Sequence, residues 1–177
     1  METMHGTTIV AIKHKGKTVI AGDSQATLGD MVFKDSVVKV RKIYDDKVII
    51  GFAGVVSDAF VVVRMLENAL QRFSGNLQRS AVEVASTWQR DGMARKLEAS
   101  VLIADNEHVY NLSGDGTLME PSEGYISIGS GSKFAIGAMH VLAQKSDLSA
   151  KEIALEALKT ASKYCIYTND HFVVEEV

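Results

Sequence analysis

The chain has 177 residues, enough for one domain with a sizeable core, and its hydrophobic and charged fractions of 46% and 23% are typical of a globular protein. The net charge of −3 provides no basic surface for nucleic acid or an anionic membrane. A single cysteine, Cys165, excludes an intrachain disulfide and favours a reduced, cytoplasmic setting. We expect no signal peptide and no membrane span, because no apolar stretch is long enough.

The first two predicted elements are strands joined by a short turn. Residues 8–13 alternate, with Val10 and Ile12 on one face and Ile9 and Ala11 on the other. A turn, HKGK, leads to a second strand that ends at Gly22-Asp23. The two strands therefore predict an antiparallel hairpin near the start of the chain.

The rest of the chain reads as groups of strands separated by helix pairs. Further strands are predicted over residues 39–44, 47–54, 99–105, 107–113, 125–129 and 172–177. Helices are predicted over residues 57–74, 77–97, 133–144 and 150–164. Ser57 is expected to cap the first helix and Gly75 to end it, while Ser149 and Glu152 form a capping box for the last.

This order predicts an α+β fold. Short turns between the strands favour largely antiparallel sheets, and two stacked sheets flanked by helix pairs would bury every apolar face. No linker, repeat or low-complexity segment divides the chain. We therefore expect one domain.

Several motifs for common active sites fail on inspection. GSGSKFAIG departs from a dinucleotide-binding loop because Phe134 replaces the third glycine, and no Walker motif occurs. GDSQA departs from the serine-hydrolase elbow because Ala26 replaces its last glycine. None of the five scattered histidines has metal-ligand spacing or forms a spaced sequence pair with a carboxylate. A serine triad is therefore unexpected.

Thr7, in HGTTIVAI, offers a different chemistry. A hydroxyl nucleophile needs a base, and without a suitable histidine the base can be the residue's own α-amine, a group whose pKa in short peptides is about 7.7 to 8.0. This requires Thr7 to become the first residue by removal of the leader METMHG. The structural explanation stays open, because threonine is an ordinary strand residue.

Segments along the whole chain resemble the HslV family of bacterial proteasome-like peptidases, which are N-terminal-nucleophile hydrolases. The segments appear in the family's order: HGTTIVAI, AGDSQATLGD, VVKVRK, KVIIGFAG with SDAF, ARKLEA, IGSGS and CIYTN. The resemblance covers Thr7 to Val177 and implies a four-layer αββα sandwich. It also implies a leader over residues 1–6, removed autocatalytically, and a single peptidase domain over residues 7–177.

The resemblance implies roles for particular positions. Thr7 matches the nucleophile, Lys39 the buried lysine beside it, and Asp23 the carboxylate that holds this lysine. Gly51 matches the residue whose N–H binds the oxyanion, and Ser130 the serine that orients the Thr7 amine. Each also has a structural reading: an exposed cation for Lys39, close packing for Gly51 and a helix cap for Ser130.

The resemblance further implies a monovalent cation, such as sodium, bound through backbone carbonyls. The corresponding residues here are Ser162, Cys165 and Thr168. Ser162 stands where the family has glycine, so a backbone conformation reserved for glycine would be strained. Serines also replace family glycines at positions 24 and 132, near the expected cleft.

As implied by the resemblance, the chain is the proteolytic subunit of an ATP-dependent protease, acting on unfolded proteins as a threonine endopeptidase. The family forms two stacked hexameric rings, a dodecamer, fed by a hexameric AAA+ unfoldase of the HslU type. ATP is used by that partner, and the chemistry here needs no cofactor. The alternatives are a non-catalytic ring subunit that keeps its leader and a small-molecule amidohydrolase on the same fold.

Overall fold

The computed structural model describes residues 4–90 and 99–177. The strands are β1 (Met4–His5), β2 (Thr8–His14), β3 (Lys17–Asp23), β4 (Ala26–Leu28), β5 (Met31–Lys34), β6 (Val40–Ile43), β7 (Val48–Gly54), β8 (Ala99–Ala104), β9 (Val109–Ser113), β10 (Leu118–Met119), β11 (Tyr125–Gly129) and β12 (Phe172–Glu176). The helices are α1 (Val56–Arg72), α2 (Leu77–Arg90), α3 (Ser132–Lys145) and α4 (Ala150–Tyr164). None of these helices has the length and apolarity required to cross a membrane.

The described strands form three antiparallel sheets. The five-stranded sheet has the order β10-β9-β8-β7-β6, and the four-stranded sheet has the order β11-β2-β3-β12. A small third sheet, β1-β4-β5, adjoins them. Every strand pair in the sheets is antiparallel, as the short predicted turns require.

The core has three apolar layers, so the αββα sandwich is confirmed. Val10 and Ile12 of β2 face α3 and α4, whereas Ile9 and Ala11 face the five-stranded sheet, as their alternation predicts. The outer face of the five-stranded sheet packs against α1 and α2 through a third cluster centred on Leu66 and Trp88. Each strand of the two large sheets can thus bury both faces.

Helix ends follow the sequence signals in two of three cases. Ser149 and Glu152 form the capping box of α4, with the Ser149 hydroxyl accepting from the Glu152 N–H. Gly75, at a φ of +82°, donates its N–H to Leu70 O at the end of α1. The predicted cap at Ser57 is wrong, because α1 begins at Val56 and the capping position is Val55.

The hairpin of β4 and β5 is absent from the sequence prediction. All four residues of β5 are exposed, so the strand lacks the alternation that reveals a half-buried strand. The predicted end of α2 at Leu97 and most of the ARKLEA segment lie outside the described residues.

Candidate active site

Four chain segments bring Thr7, Asp23, Lys39 and Ser130 to one edge of the sandwich. Thr7 immediately precedes β2, Asp23 ends β3, Lys39 precedes β6 and Ser130 follows β11. The β2–β3 and β2–β11 registers place the beginning of β2 beside the ends of the other two strands. Residues distant in sequence therefore become neighbours at the point where β2 begins.

Asp23 and Lys39 form a buried ion pair at the base of the site. Lys39 Nζ lies 3.2 Å from Asp23 Oδ1, and the side chains are 4% and 0% exposed. The same carboxylate accepts the Thr8 N–H at 2.7 Å and the Gln25 N–H at 2.9 Å. These hydrogen bonds stabilise the ionised carboxylate, which in turn compensates for burying the ammonium.

The Lys39 ammonium has an oxygen for each of its three donors. Besides Asp23, it donates to Gly6 O at 2.9 Å and to Gln25 O. Burial lowers the pKa of Lys39, because desolvation disfavours the charged form, and Asp23 opposes this effect. The ammonium is therefore held between two carbonyls and a carboxylate, directly beside the bond that precedes Thr7.

Thr7 is held by contacts on both sides of its backbone. Its hydroxyl donates to Gly6 O, the oxygen that also accepts from Lys39. Its carbonyl accepts from the Ser130 N–H at 2.8 Å and the Ser130 hydroxyl at 3.1 Å, while its own N–H lies 3.4 Å from Ser130 Oγ. The hydroxyl and the ammonium thus converge on one carbonyl, that of the Gly6–Thr7 bond.

Gly129 allows this close approach between β11 and Thr7. Its φ is +92°, and a Cβ there would lie 2.1 Å from Thr7 O. Only glycine fits this position without moving the backbone. The first glycine of IGSGS is therefore required by its backbone conformation and close packing, independently of any dinucleotide loop.

Gly51 lies outside this cluster, in the middle of β7 between Val40 of β6 and Leu102 of β8. A Cβ at Gly51 would lie 2.7 Å from an Ile9 methyl and 2.8 Å from an Ile20 methyl, so glycine allows the sheets to pack closely. These contacts lie on the side of the Cα and do not involve the N–H, so its oxyanion role stays a prediction.

Side-chain hydrogen bonds of Gln25, Thr27, Thr8 and Thr168 also stabilise the site, and sequence reasoning did not predict these contacts. Gln25 Nε2 donates to Thr27 Oγ1 at 3.0 Å and to Ile166 O at 2.9 Å. Thr8 Oγ1 lies 2.7 Å from Thr168 Oγ1. The contacts of Gln25 with Ile166 and of Thr8 with Thr168 join residues far apart in the chain, so no local sequence pattern could reveal them.

The segment predicted to hold a cation spans the end of α4 and the residues just after it. Ser162 lies in the last turn of α4 with no left-handed φ, so serine fits there without the strain expected at a glycine position. The Cys165 carbonyl accepts the Thr168 N–H at 3.1 Å and keeps a second lone pair. Carbonyl oxygens at a helix C-terminus suit a hard cation chemically. Among the described residues, no cluster of three His, Cys, Asp or Glu side chains suits a metal.

Comparisons with known proteins give the same picture over nearly the whole chain. The family model described as "Proteasome subunit" matches residues 3–177. The chain is 47% identical, over 180 residues, to the ATP-dependent protease subunit HslV of Geobacillus sp. (strain WCH70), covering 100% of both chains. It is 45% identical over 174 residues to the HslV subunit of Syntrophobacter fumaroxidans, covering 98% of this chain and 97% of that one.

A solved structure agrees in three dimensions. The chain superposes on the crystal structure of eukaryotic HslV from Trypanosoma brucei with a TM-score of 0.88 and 37% sequence identity. The superposition covers 96% of this chain and 98% of the other. The similarity therefore extends over nearly all of the sandwich that supports the candidate site.

Proposed function

Since the chain belongs to the proteasome subunit family and is an ATP-dependent protease subunit of the HslV type, we propose that Thr7 is its nucleophile, freed by cleavage of the Gly6–Thr7 bond. The observation that carries the proposal is the convergence of two groups on the Gly6 carbonyl. Thr7 Oγ1 and Lys39 Nζ both contact its oxygen, and the Lys39 distance is 2.9 Å. Residues 1–6 are then a leader and residues 7–177 the mature peptidase domain.

Leader removal follows from this arrangement as an acyl shift. Thr7 Oγ attacks the Gly6 carbonyl carbon, and the Lys39 ammonium stabilises the negative charge that develops on the carbonyl oxygen. The hydroxyl proton passes to the Thr7 nitrogen as the C–N bond breaks, which leaves an ester between Gly6 and Thr7. Water hydrolyses this ester, releasing the leader as a carboxylic acid and leaving Thr7 with a free amine and hydroxyl.

The mature site hydrolyses peptide bonds by the same chemistry. The neutral Thr7 amine accepts the hydroxyl proton while Oγ attacks the substrate carbonyl, and the leaving amine then takes up that proton. Water hydrolyses the resulting ester and restores the hydroxyl. The cation of Lys39 favours the neutral form of the nearby amine, and Asp23 keeps Lys39 protonated. Ser130 orients the Thr7 amine through its hydroxyl.

Assembly and energy supply follow the family. The subunit works in an oligomer with an HslU-type ATPase, and we propose the finer arrangement of two stacked hexameric rings fed by a hexameric unfoldase in the cytoplasm. ATP is consumed by that partner, and unfolded proteins are the substrates. A monovalent cation such as sodium, if held by the carbonyls of Ser162, Cys165 and Thr168, would fix the segment after α4.

Replacing the Thr7 hydroxyl tests the proposal. The Thr7→Ala variant is made from a fusion that leaves residue 7 as the first residue, so that a retained leader cannot explain inactivity. We expect no hydrolysis of a fluorogenic peptide with the ATPase and ATP present, while Thr7→Ser retains measurable hydrolysis. Wild-type rates in Thr7→Ala would contradict the assignment of the nucleophile.

A further inference from the structure

Thr8 carries a hydroxyl that a simple strand residue would not need. Its side chain is fully buried, at 0% exposure, at the first position of β2. Its Oγ1 accepts the Gly131 N–H at 2.9 Å and lies 2.7 Å from Thr168 Oγ1, where either hydroxyl can donate. The hydroxyl therefore joins two chain segments that are distant in sequence.

The Gly131 N–H belongs to the peptide unit that follows Ser130. Ser130 is the residue whose N–H and hydroxyl both contact Thr7 O, at 2.8 Å and 3.1 Å. The bond from Gly131 to Thr8 Oγ1 consequently fixes the turn on which Ser130 sits. Movement of this turn would change the position of Ser130 relative to the Thr7 nitrogen and carbonyl.

The hydroxyls of Thr8 and Thr168 pack closely against Gly131. A Cβ at Gly131 would lie 2.3 Å from Thr8 Oγ1 and 2.9 Å from Thr168 Oγ1. The two hydroxyls therefore lie against the bare Cα of Gly131. Thr168 is also nearly fully buried, at 4% exposure, and its N–H donates to Cys165 O at 3.1 Å. The turn from Cys165 to Thr168 therefore holds Thr168 next to Thr8.

We propose that Thr8 and Thr168 are positioning residues for the peptidase reaction. Their hydroxyl pair fixes the Ser130–Gly131 peptide unit and so keeps the Thr7 amine oriented toward its own hydroxyl. The pair acts through Ser130 and does not touch the substrate. This inference rests on the proposed role of Thr7 as the nucleophile.

The test removes each hydroxyl with little change of shape. Thr8→Val and Thr168→Val are expected to lower kcat by roughly tenfold to a hundredfold at nearly unchanged KM, because a small displacement of catalytic groups costs rates of this order. The double variant should be no slower than the slower single variant, since both changes break the same contact. Thr168→Ser keeps a hydroxyl and should therefore have a kcat much closer to that of the wild type than Thr168→Val has.

Thr18→Val is the matched control. Thr18 is also fully buried, on β3 beside β2, but its hydroxyl has no hydrogen-bond partner among the described residues. The kcat of the Thr18→Val variant should equal that of the wild type. All variants are compared as assembled oligomers with matched thermal unfolding midpoints, and if Thr8→Val does not assemble, the comparison of Thr168→Val with Thr168→Ser decides alone.

The outcomes separate this inference from the proposed function. Wild-type kcat in Thr168→Val, with Thr7→Ala inactive, would overturn the positioning role and leave the nucleophile intact. A loss of kcat in Thr168→Val that Thr168→Ser does not recover would also overturn it, because the hydroxyl would then be irrelevant. Activity in Thr7→Ala would instead refute the nucleophile itself.

Discussion

At the scale of single residues, the site depends on a cation kept in a buried position. Lys39 uses its three donors on Asp23, Gly6 O and Gln25 O. If the Gly6–Thr7 bond is cleaved as proposed, Gly6 O departs with the leader and one donor of Lys39 becomes free beside Thr7. In the mature chain, this donor is available to stabilise the charge that develops during attack on a substrate carbonyl.

The charge state of Lys39 sets a limit on activity at alkaline pH. Burial lowers the pKa of Lys39 from its ordinary value of 10.5, and the proposed mechanism needs the protonated form. We therefore expect kcat/KM to fall with rising pH before pH 10.5 is reached. On the acid side, kcat/KM should fall as the Thr7 amine becomes protonated. A pH–rate profile of peptide hydrolysis measures both limbs.

The expected loss of activity at alkaline pH cannot be explained by unfolding that results from deprotonation of Lys39. In the window between the lowered pKa and 10.5, the unfolded chain binds more protons at this position than the folded chain. This group therefore makes the folded state more stable as pH rises through that window. Thermal unfolding midpoints recorded at the same pH values serve as the control, and a rate that stays constant up to pH 10.5 would refute the need for a charged Lys39.

At the scale of elements, the third sheet holds the end of the proposed leader next to Thr7. β1 pairs with β4, and Gly6, which connects β1 to Thr7, has a φ of +115°. A Cβ at Gly6 would lie 2.7 Å from Thr27 Oγ1. The leader therefore reaches the site in a conformation that only glycine adopts easily.

We expect Gly6→Ala to slow or block leader removal. The substitution adds backbone strain of about 1–3 kcal/mol, and the clash with Thr27 displaces the Gly6 carbonyl from Thr7 and Lys39. The fraction of processed chain, followed by mass spectrometry, measures the effect. Gly16→Ala is the control, because Gly16 also has a positive φ, +76°, but a Cβ there meets nothing within 4 Å. Equal processing rates for the two variants would contradict this account.

Sequence periodicity predicts most elements but not the third sheet. The alternation of β2 and the capping box of α4 are local signals, because each depends on residues a few positions apart. The β4–β5 hairpin is short and its second strand is exposed on both faces, so it has no such signal. The resemblance to a known family indicated Thr7, Asp23, Lys39 and Ser130, which the structure brings together.

The remaining parts of the site depend on long-range contacts. Thr8 and Thr168 are 160 positions apart, and their hydroxyls meet only after β2 and the segment following α4 are packed. Gly51 also depends on long-range packing, because Ile9 and Ile20 leave no room for a side chain there, while the role of its N–H that the family resemblance implies stays a prediction. Local patterns therefore predict most elements and the family resemblance indicates the catalytic candidates, but neither predicts the residues that hold those candidates in position.

At the scale of the whole molecule, the sandwich serves as a rigid support for one sheet edge. The two large sheets and four helices bury three apolar layers, and the site lies where β2 begins and β3 and β11 end. The similarity to HslV proteins spans this entire arrangement. The central claim is that this support delivers Thr7 Oγ1 to the Gly6 carbonyl and thereby frees the Thr7 amine.

Intact-mass measurement of the protein purified from cells tests this claim most directly. We predict that the full-length wild-type chain, produced without any fusion, begins at Thr7 and lacks the mass of METMHG. The full-length Thr7→Ala variant should keep all six leader residues. A stable wild-type chain that retains the leader while hydrolysing peptides, or a Thr7→Ala chain cut before residue 7, would contradict the account.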